Sequence, residues 1–388
     1  GRARGTRGAS LARNAPPGRT TVGQRRSESE IDKAGDAPAE GGTMSDKQVR
    51  IAVIGAGAMG RNHIRFVQEE PEAELVAIAD AFEGAHATAD AAGVPFYLDS
   101  AQMMDEVKPD GVIIATPNGL HLQVARQAVA RGIATLVEKP ISDDLDDARA
   151  FASEAEEAGV PVLVGQHRRH NPFVNEAKRI IDSGELGQLT VASFHYMIYK
   201  NDSYFDVEWR RRKGAGPILV NLVHDVDLMR YLIGEPTEVQ GMQSSAARHF
   251  ETEDSAVVNM RFASGALASM TISDATVAPW NWEATAREDP QYRPFDADAY
   301  FIGGTRGSLS LPRLHKFGYD GESSWHKPLR MDIPAVDPAL PHKMQLKHFV
   351  RVVRREVEPI VTPSDNVLTL RALTAVKRAA ETGELVRL

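Results

Sequence analysis

The sequence predicts a two-domain protein: an α/β domain with a doubly wound parallel sheet, then an α+β domain with a large, mostly antiparallel open sheet. Strand-like apolar runs alternate with helical patterns from residue 49 to residue 164, which predicts the parallel sheet. A glycine-rich turn, Gly55 to Gly60, follows the first run, as in dinucleotide-binding sheets. Beyond about residue 165, strand patterns follow one another with few helices between them, which predicts the second sheet.

Composition excludes several classes of protein. The chain has 388 residues, 42% of them hydrophobic and 25% charged, which is typical of globular proteins. Its net charge of −8 argues against nucleic acid as the main partner. There are no cysteines, which excludes disulfides, thiolate metal sites and a cysteine nucleophile. No apolar run reaches the roughly 18 residues that a membrane span needs, so we expect a cytoplasmic protein with a small-molecule partner and no membrane partner.

The first 43 residues are set apart by their composition. They are rich in Gly, Ala, Pro and Ser, and their large aliphatic side chains are limited to Leu11, Val22 and Ile31, too few to order a segment by burial. We expect residues 1–43 to be a disordered or upstream extension, with Met44 as the natural start.

In the N-terminal domain, predicted at residues 44–166, each strand is a short apolar run and each helix shows apolar residues at helical spacing. Glycines such as Gly93, Gly132 and Gly159 mark helix ends. The predicted strands cover 49–54, 75–79, 111–115, 134–137 and 162–164, and the helices cover 58–69, 83–92, 121–131 and 145–158. Right-handed crossovers between parallel strands then fix the topology.

The C-terminal domain, predicted at residues 167–388, combines a few helices with many strands. Asn171 and Pro172 suit the start of a helix that ends at Asp182. Further helices are predicted at 218–233, 342–357 and 364–382, and strands at 188–198, 237–243, 255–262 and 266–273. Residues 275–300 contain Pro and Trp with little periodicity, which favours a long loop.

The turn Gly55-x-Gly57-x-x-Gly60 has the context of a dinucleotide site. It follows a strand and opens a helix, and Asp80 stands 20 residues beyond its last glycine. Gly55 permits the tight turn, Gly57 lets the backbone approach a pyrophosphate, and Gly60 lets helix and strand pack closely. Asp80 is placed to accept hydrogen bonds from ribose hydroxyls and to repel a 2′-phosphate, which predicts NAD rather than NADP.

Two short motifs stand at the ends of later strands. Thr116-Pro117-Asn118 follows the run 111–115, where open α/β sheets bind ligands, although these residues also suit a helix start. Glu138-Lys139-Pro140 follows the run 134–137. A lysine ammonium there can hydrogen-bond a substrate hydroxyl and assist its proton transfer; an exposed turn lysine is the alternative.

Together, the run from Ile51 to Gly60, the segment Ala115 to Asn118 with His121, and Glu138-Lys139-Pro140 resemble the glucose–fructose oxidoreductase/inositol dehydrogenase/MocA (Gfo/Idh/MocA) family. The stretch from Gly214 to Asp227 is similar to the glycine-rich turn that leads into this family's catalytic helix. The resemblance implies a Rossmann domain and a substrate-binding domain whose open sheet carries the interface of a homodimer or homotetramer. It also implies NAD(P)-linked chemistry on sugars, polyols or related ring alcohols, without a metal.

The resemblance places the cofactor on the N-terminal domain. The residues expected to contact it lie in the glycine-rich turn and at strand ends: Gly55, Gly57, Ala58, Met59, Gly60, Asp80, Thr116, Pro117, Asn118, His121, Glu138 and Lys139.

By the same resemblance, Lys139 activates the substrate and His224 is the catalytic acid/base. An imidazole suits that role because its unperturbed pKa is about 6.5; a hydrogen-bonded core histidine is the alternative. Many family members carry an Asp four residues before this histidine, and here that position is Val220. The expected Lys–Asp–His set is therefore incomplete.

Three residues close to Val220 in the sequence are candidates to replace the missing Asp. Asn221 stands three residues before His224 and would share its helix face, but an amide can bind substrate without acting as a base. Asp225 and Asp227 follow, and Asp227 is placed to orient the imidazole.

Four further side chains are candidates for contact with substrate. Arg168 and His170 lie at the domain junction, where forked donors suit a carboxylate or a hydroxyl-rich molecule; a solvated basic loop is the alternative. Tyr196 and Trp209 suit stacking on a sugar ring, or alternatively core or oligomer contacts.

The sequence thus predicts hydride transfer between nicotinamide and a secondary alcohol of a sugar, cyclitol or related ring diol. One alternative keeps the fold and acts on an aromatic dihydrodiol or recycles a tightly held NAD. The other is a catalytically weak NAD-binding sensor or partner protein, motivated by Val220.

Overall fold

The first sheet is built from strands that are largely buried. In the computed structural model, which describes residues 47–288 and 292–388, six parallel strands pair in the order β3-β2-β1-β4-β5-β6. They are β1 (Val49–Ile54), β2 (Ala73–Ala79), β3 (Phe96–Tyr97), β4 (Gly111–Ile114), β5 (Ala134–Val137) and β6 (Val162–Val164). This order confirms the predicted doubly wound sheet. The strand order reverses between β1 and β4, which opens a crevice at their carboxyl ends.

Five helices flank this sheet: α1 (Ala58–Glu69), α2 (His86–Ala92), α3 (Ser100–Val107), α4 (His121–Val129) and α5 (Leu145–Ala158). The helix predicted to start at residue 83 begins with a 3-10 turn, Glu83–Ala85. The short β3 and α3 were not predicted; α3 begins after Asp99, whose side chain accepts a hydrogen bond from the Gln102 amide. The expectations for residues 1–43 and for Met44 lie outside the described residues.

The second sheet has nine strands in the order β14-β13-β12-β11-β7-β10-β9-β8-β15. They are β7 (Leu189–Met197), β8 (Pro236–Ser244), β9 (Ser255–Phe262), β10 (Leu267–Ser273), β11 (Tyr300–Gly304), β12 (Gly307–Leu311), β13 (His315–Gly318), β14 (Arg330–Asp332) and β15 (Val386–Arg387). All neighbours are antiparallel except β7 and β10. This confirms the predicted mostly antiparallel open sheet.

The two faces of the second sheet differ. Buried and exposed positions alternate along β9, as expected for a strand with one buried face. The outer face exposes apolar side chains, among them Val191, Val257, Leu267 and Phe301. The homodimer or homotetramer stays a prediction.

The helices of the second half are α6 (Pro172–Asp182), α7 (Pro217–Val220), α8 (Val223–Ile233), α9 (Trp282–Thr285), α10 (Pro341–Val353) and α11 (Pro363–Thr382). Two predictions were wrong here. The helix predicted at 218–233 is two helices, interrupted at Asn221 and Leu222. The predicted loop 275–300 contains α9, because Trp282 is buried in the core, where its ring stacks on Tyr300.

Helices α10 and α11 connect the two cores. Phe349 of α10 packs in the first core, whereas Val376 of α11 packs in the second. The segment between these helices also pairs with the first sheet, since the Val164 amide donates to the Val361 carbonyl at 2.9 Å. Among the described residues, no helix is long and apolar enough to cross a membrane.

Candidate active site

The glycine-rich turn has the shape that a dinucleotide needs. Gly55 adopts φ +95°, in the left-handed region that favours glycine. A Cβ at Gly60 would lie 1.9 Å from the Gly55 carbonyl oxygen, so this position has no room for a side chain. A Cβ at Gly57 would meet no protein atom within 4 Å, and Gly57 caps α1 without a side-chain hydrogen bond. An open helix N-terminus beside a bare backbone fits a pyrophosphate.

Asp80, directly after β2, is hydrogen-bonded to this turn. Its carboxylate accepts hydrogen bonds from the amides of Ala56 at 2.7 Å and Phe82 at 2.8 Å. A cavity of about 240 Å³ lies beside it, and Thr116 and Pro117 also line this cavity. Each carboxylate oxygen can accept a second hydrogen bond, so Asp80 remains suited to bind ribose hydroxyls.

His121 joins the two loops that follow β4 and β5. Its Nδ1 lies 2.8 Å from the Pro140 carbonyl and its Nε2 lies 2.9 Å from the Thr116 carbonyl. The ring is buried, whereas Asn118 is exposed at the start of a 3-10 turn. The structure therefore gives His121 the role of holding the loops together; its own contact with a cofactor stays a prediction.

Glu138 is a buried anion at the end of β5. Its Oε1 lies 2.8 Å from Nε2 of His63. Burial acts to raise the pKa of Glu138, but the hydrogen bond from His63 and the nearby His63, His342 and Lys139 outweigh it, so the pKa is lowered. Glu138 is thus a fixed negative charge next to Lys139.

Lys139 is half-buried, so the alternative of an exposed turn lysine is wrong. Burial lowers the pKa of its ammonium, Glu138 and Glu283 act to raise it, and Arg168 adds to the lowering. The peptide bond between Lys139 and Pro140 is cis.

His224 lies against Gln166, which follows β6 at the carboxyl edge of the first sheet. Its Nδ1 is 3.0 Å from Oε1 of Gln166, and the ring of His167 packs edge-on against it at 4.7 Å. Burial holds the pKa of His224 well below its usual range, and the charges of Lys139 and Arg168 act in the same direction. The imidazole is therefore neutral near pH 7.

Arg168 is the centre of a buried ion-pair cluster. Its guanidinium donates to the Tyr300 hydroxyl at 3.1 Å and to Glu283 at 2.7 Å, and it lies 3.5 Å from Asp225. Tyr300 also donates a hydrogen bond to Asp225. Burial raises the pKa of Asp225 to about 6, although Arg168 opposes this shift. Contact between Arg168 and substrate stays a prediction.

Arg169 and Asp227 form a second buried pair. Two guanidinium nitrogens of Arg169 each lie 2.7 Å from an oxygen of Asp227, and Thr369 donates to the same carboxylate at 2.9 Å. The expectation that Asp227 orients His224 was wrong, because this carboxylate faces Arg169. Gln166 contacts the imidazole instead. The alternative of a solvated basic loop was also wrong, since Arg168 and Arg169 are buried.

The remaining substrate candidates lie in different surroundings. His170 is buried, its ring centroid lies 5.1 Å from that of His348, and burial lowers its pKa to about 3. Tyr196 belongs to the second core. Trp209 is exposed, with the guanidinium of Arg210 over its ring. Their contact with substrate stays a prediction.

Asn221 lies at the break between α7 and α8. Its Oδ1 accepts a hydrogen bond from Nζ of Lys200 at 2.9 Å, and the same ammonium lies 3.4 Å from Asp274. The argument that Asn221 shares a continuous helix face with His224 was wrong because of this break. Its contact with substrate stays a prediction.

Sequence reasoning missed Gln166, Glu283 and Tyr300. Gln166 could have been found, because it follows the β6 run at the ligand-binding edge of the sheet. Glu283 and Tyr300 lie in or at the end of the predicted loop 275–300, which gave no periodic pattern. Oε2 of Glu283 is buried without a hydrogen-bond partner.

Comparison with known proteins identifies the chain. The model of the oxidoreductase family with an NAD-binding Rossmann fold, Gfo/Idh/MocA, matches residues 49–166, and the model of the C-terminal domain of the same family matches residues 174–310. The chain belongs to the Gfo/Idh/MocA family. This confirms the resemblance in the sequence and shows that the protein is an oxidoreductase with an NAD-binding Rossmann domain.

Relatives cover nearly the whole length of the chain. The scyllo-inositol 2-dehydrogenase (NAD(+)) of Bacillus subtilis is 28% identical over 354 residues, 88% of this chain and 97% of that protein. The D-apiose dehydrogenase of Paraburkholderia graminis is 26% identical and covers 89% of this chain and 91% of its own. Among solved structures, the WlbA dehydrogenase from Bordetella pertussis aligns with a TM-score of 0.69 at 24% identity, covering 88% of this chain and 99% of its own, which supports the fold.

Proposed function

We propose that this protein is an NAD-dependent dehydrogenase that acts on a secondary alcohol of a sugar, a cyclitol or a related ring diol. The observation that carries the proposal is the contact of His224 with Gln166 at the carboxyl edge of the Rossmann sheet. The preceding Gly165 amide donates to Val137, two residues before Lys139, so the segment that holds His224 adjoins the loop that carries Lys139. The charge of Lys139 also lowers the pKa of His224. A cation and a neutral imidazole beside a dinucleotide site are groups suited to the oxidation of an alcohol.

The proposed role of Lys139 is to bind and polarise the substrate hydroxyl. Its ammonium donates a hydrogen bond to the alcohol oxygen and stabilises the negative charge that develops there as the proton leaves. Glu138 keeps a negative charge next to the ammonium, which opposes the effect of burial on the pKa of Lys139. His63 holds that carboxylate in place.

The proposed role of His224 is to take the proton of the same hydroxyl. Because its pKa is held well below the usual range, the ring is uncharged near neutral pH and has a lone pair available. The alcohol carbon loses a hydride while its oxygen loses a proton to the imidazole, which leaves a carbonyl. In the reverse direction the same nitrogen returns the proton.

NAD is the proposed cofactor and supplies the carbon that accepts the hydride. The turn Gly55–Gly60 would hold its pyrophosphate, and Asp80 would bind the ribose and disfavour a 2′-phosphate. The loops that start at Thr116 and Glu138 would lie beside the nicotinamide half. The bare backbone at Gly57 supports this fit.

The proposed substrate class rests on the polar character of the site and on relatives. The site combines Lys139 and His224 with Glu283, whose buried Oε2 is a free acceptor suited to a second substrate hydroxyl. The relatives named above act, by their names, on scyllo-inositol and on D-apiose. A polyhydroxy ring fits these donors and acceptors better than an apolar substrate.

The assignment is tested with Lys139→Ala and His224→Ala on a panel of inositols, aldoses and ring diols. We expect each change to lower kcat/KM on the best substrate roughly 10²- to 10⁴-fold, the usual contribution of acid–base catalysis. Formation of NADH measures turnover, and calorimetry measures NAD affinity, which we expect His224→Ala to leave nearly unchanged.

Lys327→Ala and His326→Ala are matched controls, since both side chains are exposed and hydrogen-bond to neighbours in their own segment, Lys327 to Glu322 and His326 to Trp325. We expect wild-type rates from both. Unchanged turnover in the two active-site variants would contradict the catalytic assignment. Reduction of bound NAD without net release of NADH would instead support a recycled cofactor.

A catalytically weak NAD-binding protein is the second candidate. It is supported by Val220 at the position of the family's Asp and by the partners of the two carboxylates that follow: Asp225 accepts a hydrogen bond from Tyr300, and Asp227 accepts from Arg169. Tight NAD binding without turnover of any compound in the panel would favour this candidate.

A further inference from the structure

Gln166 presents a neutral hydrogen-bond acceptor to His224. Its Oε1 lies 3.0 Å from Nδ1 of the imidazole, and the Gln166 side chain is 1% exposed. Neutral histidine carries one proton on either of two nitrogens, and the partner of one nitrogen decides which tautomer is stable. The contact therefore bears on which nitrogen of His224 faces the reaction.

We propose that Gln166 is a positioning residue that selects the reactive tautomer of His224. Its Oε1 accepts a hydrogen bond from the N–H at Nδ1, which leaves Nε2 as the nitrogen that takes the proton of the substrate. This inference rests on the proposed function, because it concerns the acid/base role of His224.

The backbone around Gln166 fixes the position of its amide. The residue directly follows β6, and its own amide donates to the Val164 carbonyl at 2.7 Å. The preceding Gly165 amide donates to the Val137 carbonyl of β5 at 2.8 Å, and the Arg169 amide donates to the Gln166 carbonyl at 3.1 Å. Gln166 thus reaches His224 from a rigid strand end, next to the loop that carries Lys139.

Neighbouring rings fix the plane of the imidazole. The ring of His167 packs against His224 with an interplanar angle of 72°, and the ring of His342 stacks on His167 with a centroid distance of 4.1 Å and an angle of 16°. The Gln166 acceptor sets the rotation of the His224 ring within that packing. Ring plane and protonation site are therefore set by different residues.

The charges that face His224 explain why an amide suits this position. Lys139 and Arg168 are cations, and His167 and His342 are the titratable rings packed nearby. Among the described carboxylates nearby, Glu138 is bound by His63, and Glu283 and Asp225 by Arg168. Glu288 is bound by Asn171 and lies 3.8 Å from the outer ring, His167, rather than against His224. A carboxylate at position 166 would stabilise the imidazolium, whereas an amide accepts the same hydrogen bond without adding charge.

The first test compares Gln166→Glu with Gln166→Leu in the full-length protein on its best substrate. His224 must be neutral to act as a base, so the rate falls as pH decreases through its pKa. A glutamate would raise that pKa, and we expect the acid limb of the kcat profile to move up by about one to three pH units. At pH values above the acid limb, Gln166→Glu should regain a near wild-type kcat, because a carboxylate oxygen also accepts the hydrogen bond from the N–H at Nδ1.

Gln166→Leu removes the acceptor without adding charge. We expect kcat to fall roughly 10- to 100-fold, within the range of acid–base effects, with a much smaller change in KM. Gln345→Met is the matched control: Gln345 is a fully buried amide of α10, and no hydrogen bond joins it to His224. It should leave the pH profile and kcat unchanged.

The second test observes the tautomer directly and needs no turnover. In protein labelled with 15N at histidine, the His224 signal, assigned by its loss in His224→Gln, should show a protonated Nδ1. Gln166→Leu should show a mixture of tautomers. A protonated Nε2 in the wild-type protein, or a pH profile shared by wild type, Gln166→Glu and Gln166→Leu, would overturn the inference.

The two proposals fail in different ways. If His224→Ala is inactive but the Gln166 variants keep the wild-type tautomer and pH profile, the positioning role is wrong and the proposed function stands. If His224→Ala remains active, the proposed function fails, and the role of Gln166 in catalysis fails with it, whatever tautomer the spectra show.

Discussion

The cofactor edge and the surroundings of His224 are built in different ways. At the cofactor edge, backbone geometry dominates: Gly55 has a positive φ, Gly60 touches the Gly55 carbonyl, and Asp80 accepts two amide hydrogen bonds. Around His224, side chains from distant segments meet. The hydrogen bond from Arg168 to Tyr300 joins residues 132 positions apart.

This difference teaches which parts of a site tolerate change. A turn set by glycines depends on the absence of side chains, so a single methyl group can disrupt it. A cluster of buried charges depends on partners, so the loss of one member leaves another unpaired. The following predictions test that contrast.

The largest effect is expected at Gly60 and Gly57. Gly60 has no room for a side chain within the protein, whereas Gly57 leaves space for the cofactor. Gly60→Ala places a methyl group against the Gly55 carbonyl, so the turn must open. We expect about 1–3 kcal/mol lower stability from this overpacking and loss of measurable NAD binding. Gly57→Ala meets no protein atom, so we expect wild-type stability but at least roughly tenfold weaker NAD binding, because the methyl group enters the space for the pyrophosphate.

Calorimetry with NAD and urea unfolding measure the two quantities separately. The expected result is that both variants bind NAD more weakly, whereas only Gly60→Ala loses stability. Equal losses of stability in Gly57→Ala and Gly60→Ala would show that the turn is a packing element only.

A smaller effect is expected from Asp80→Asn. Asparagine keeps an oxygen that can accept from the Ala56 amide but removes the charge that would repel a 2′-phosphate. We expect the ratio of kcat/KM for NADP to that for NAD to rise roughly tenfold, which is about 1.4 kcal/mol of discrimination. Asp90→Asn, an exposed acid on α2, is the control and should leave the ratio unchanged. No change in Asp80→Asn would contradict the proposed NAD preference.

The last prediction concerns acid stability, which depends on the buried ring of His170 rather than on the glycine turn. Burial lowers the pKa of His170 to about 3, below the unfolded value near 6.5. Between these values the unfolded chain binds a proton that the folded chain does not, so stability falls as pH decreases, by up to about 1.4 kcal/mol per pH unit. His170→Phe keeps a ring beside His348 but removes the titrating group. The free energy of unfolding should therefore fall less steeply as pH decreases, by the contribution of one proton.

Urea unfolding between pH 4.5 and 7.5 measures that slope. His326→Phe, at an exposed site, should leave it unchanged. An identical slope in wild type and His170→Phe would show that His170 does not remain neutral in the folded protein.

The sequence was sufficient for five of the six strands of the first sheet because their information is local. Buried strands are short apolar runs, and glycines mark the turn and several helix ends. The elements missed, β3 and α3, are short or carry a weak apolar pattern. In the second half, α9 was missed because Trp282 is held by its stacking on Tyr300, a contact that no local pattern contains.

For the site, the sequence predicted Lys139 and His224 by motif and by resemblance, but it did not show which side chains contact them. Asp227 was expected to orient His224 from sequence spacing, and the fold pairs it with Arg169 instead. Spacing along a helix defines which residues share a face, whereas it does not define what that face meets.

By itself, the sequence determined the family and most strands of the Rossmann sheet, and it predicted the dinucleotide turn and the roles of Lys139 and His224. Those features depend on residues close together in the chain or on motifs that stand at strand ends. The tertiary structure alone decided that Gln166 contacts His224, that Arg168 is an internal ion-pair centre and that α8 begins after a break at Asn221. The physical reason is that buried charges and imidazoles take the partners that the fold brings to them, and those partners are distant in sequence.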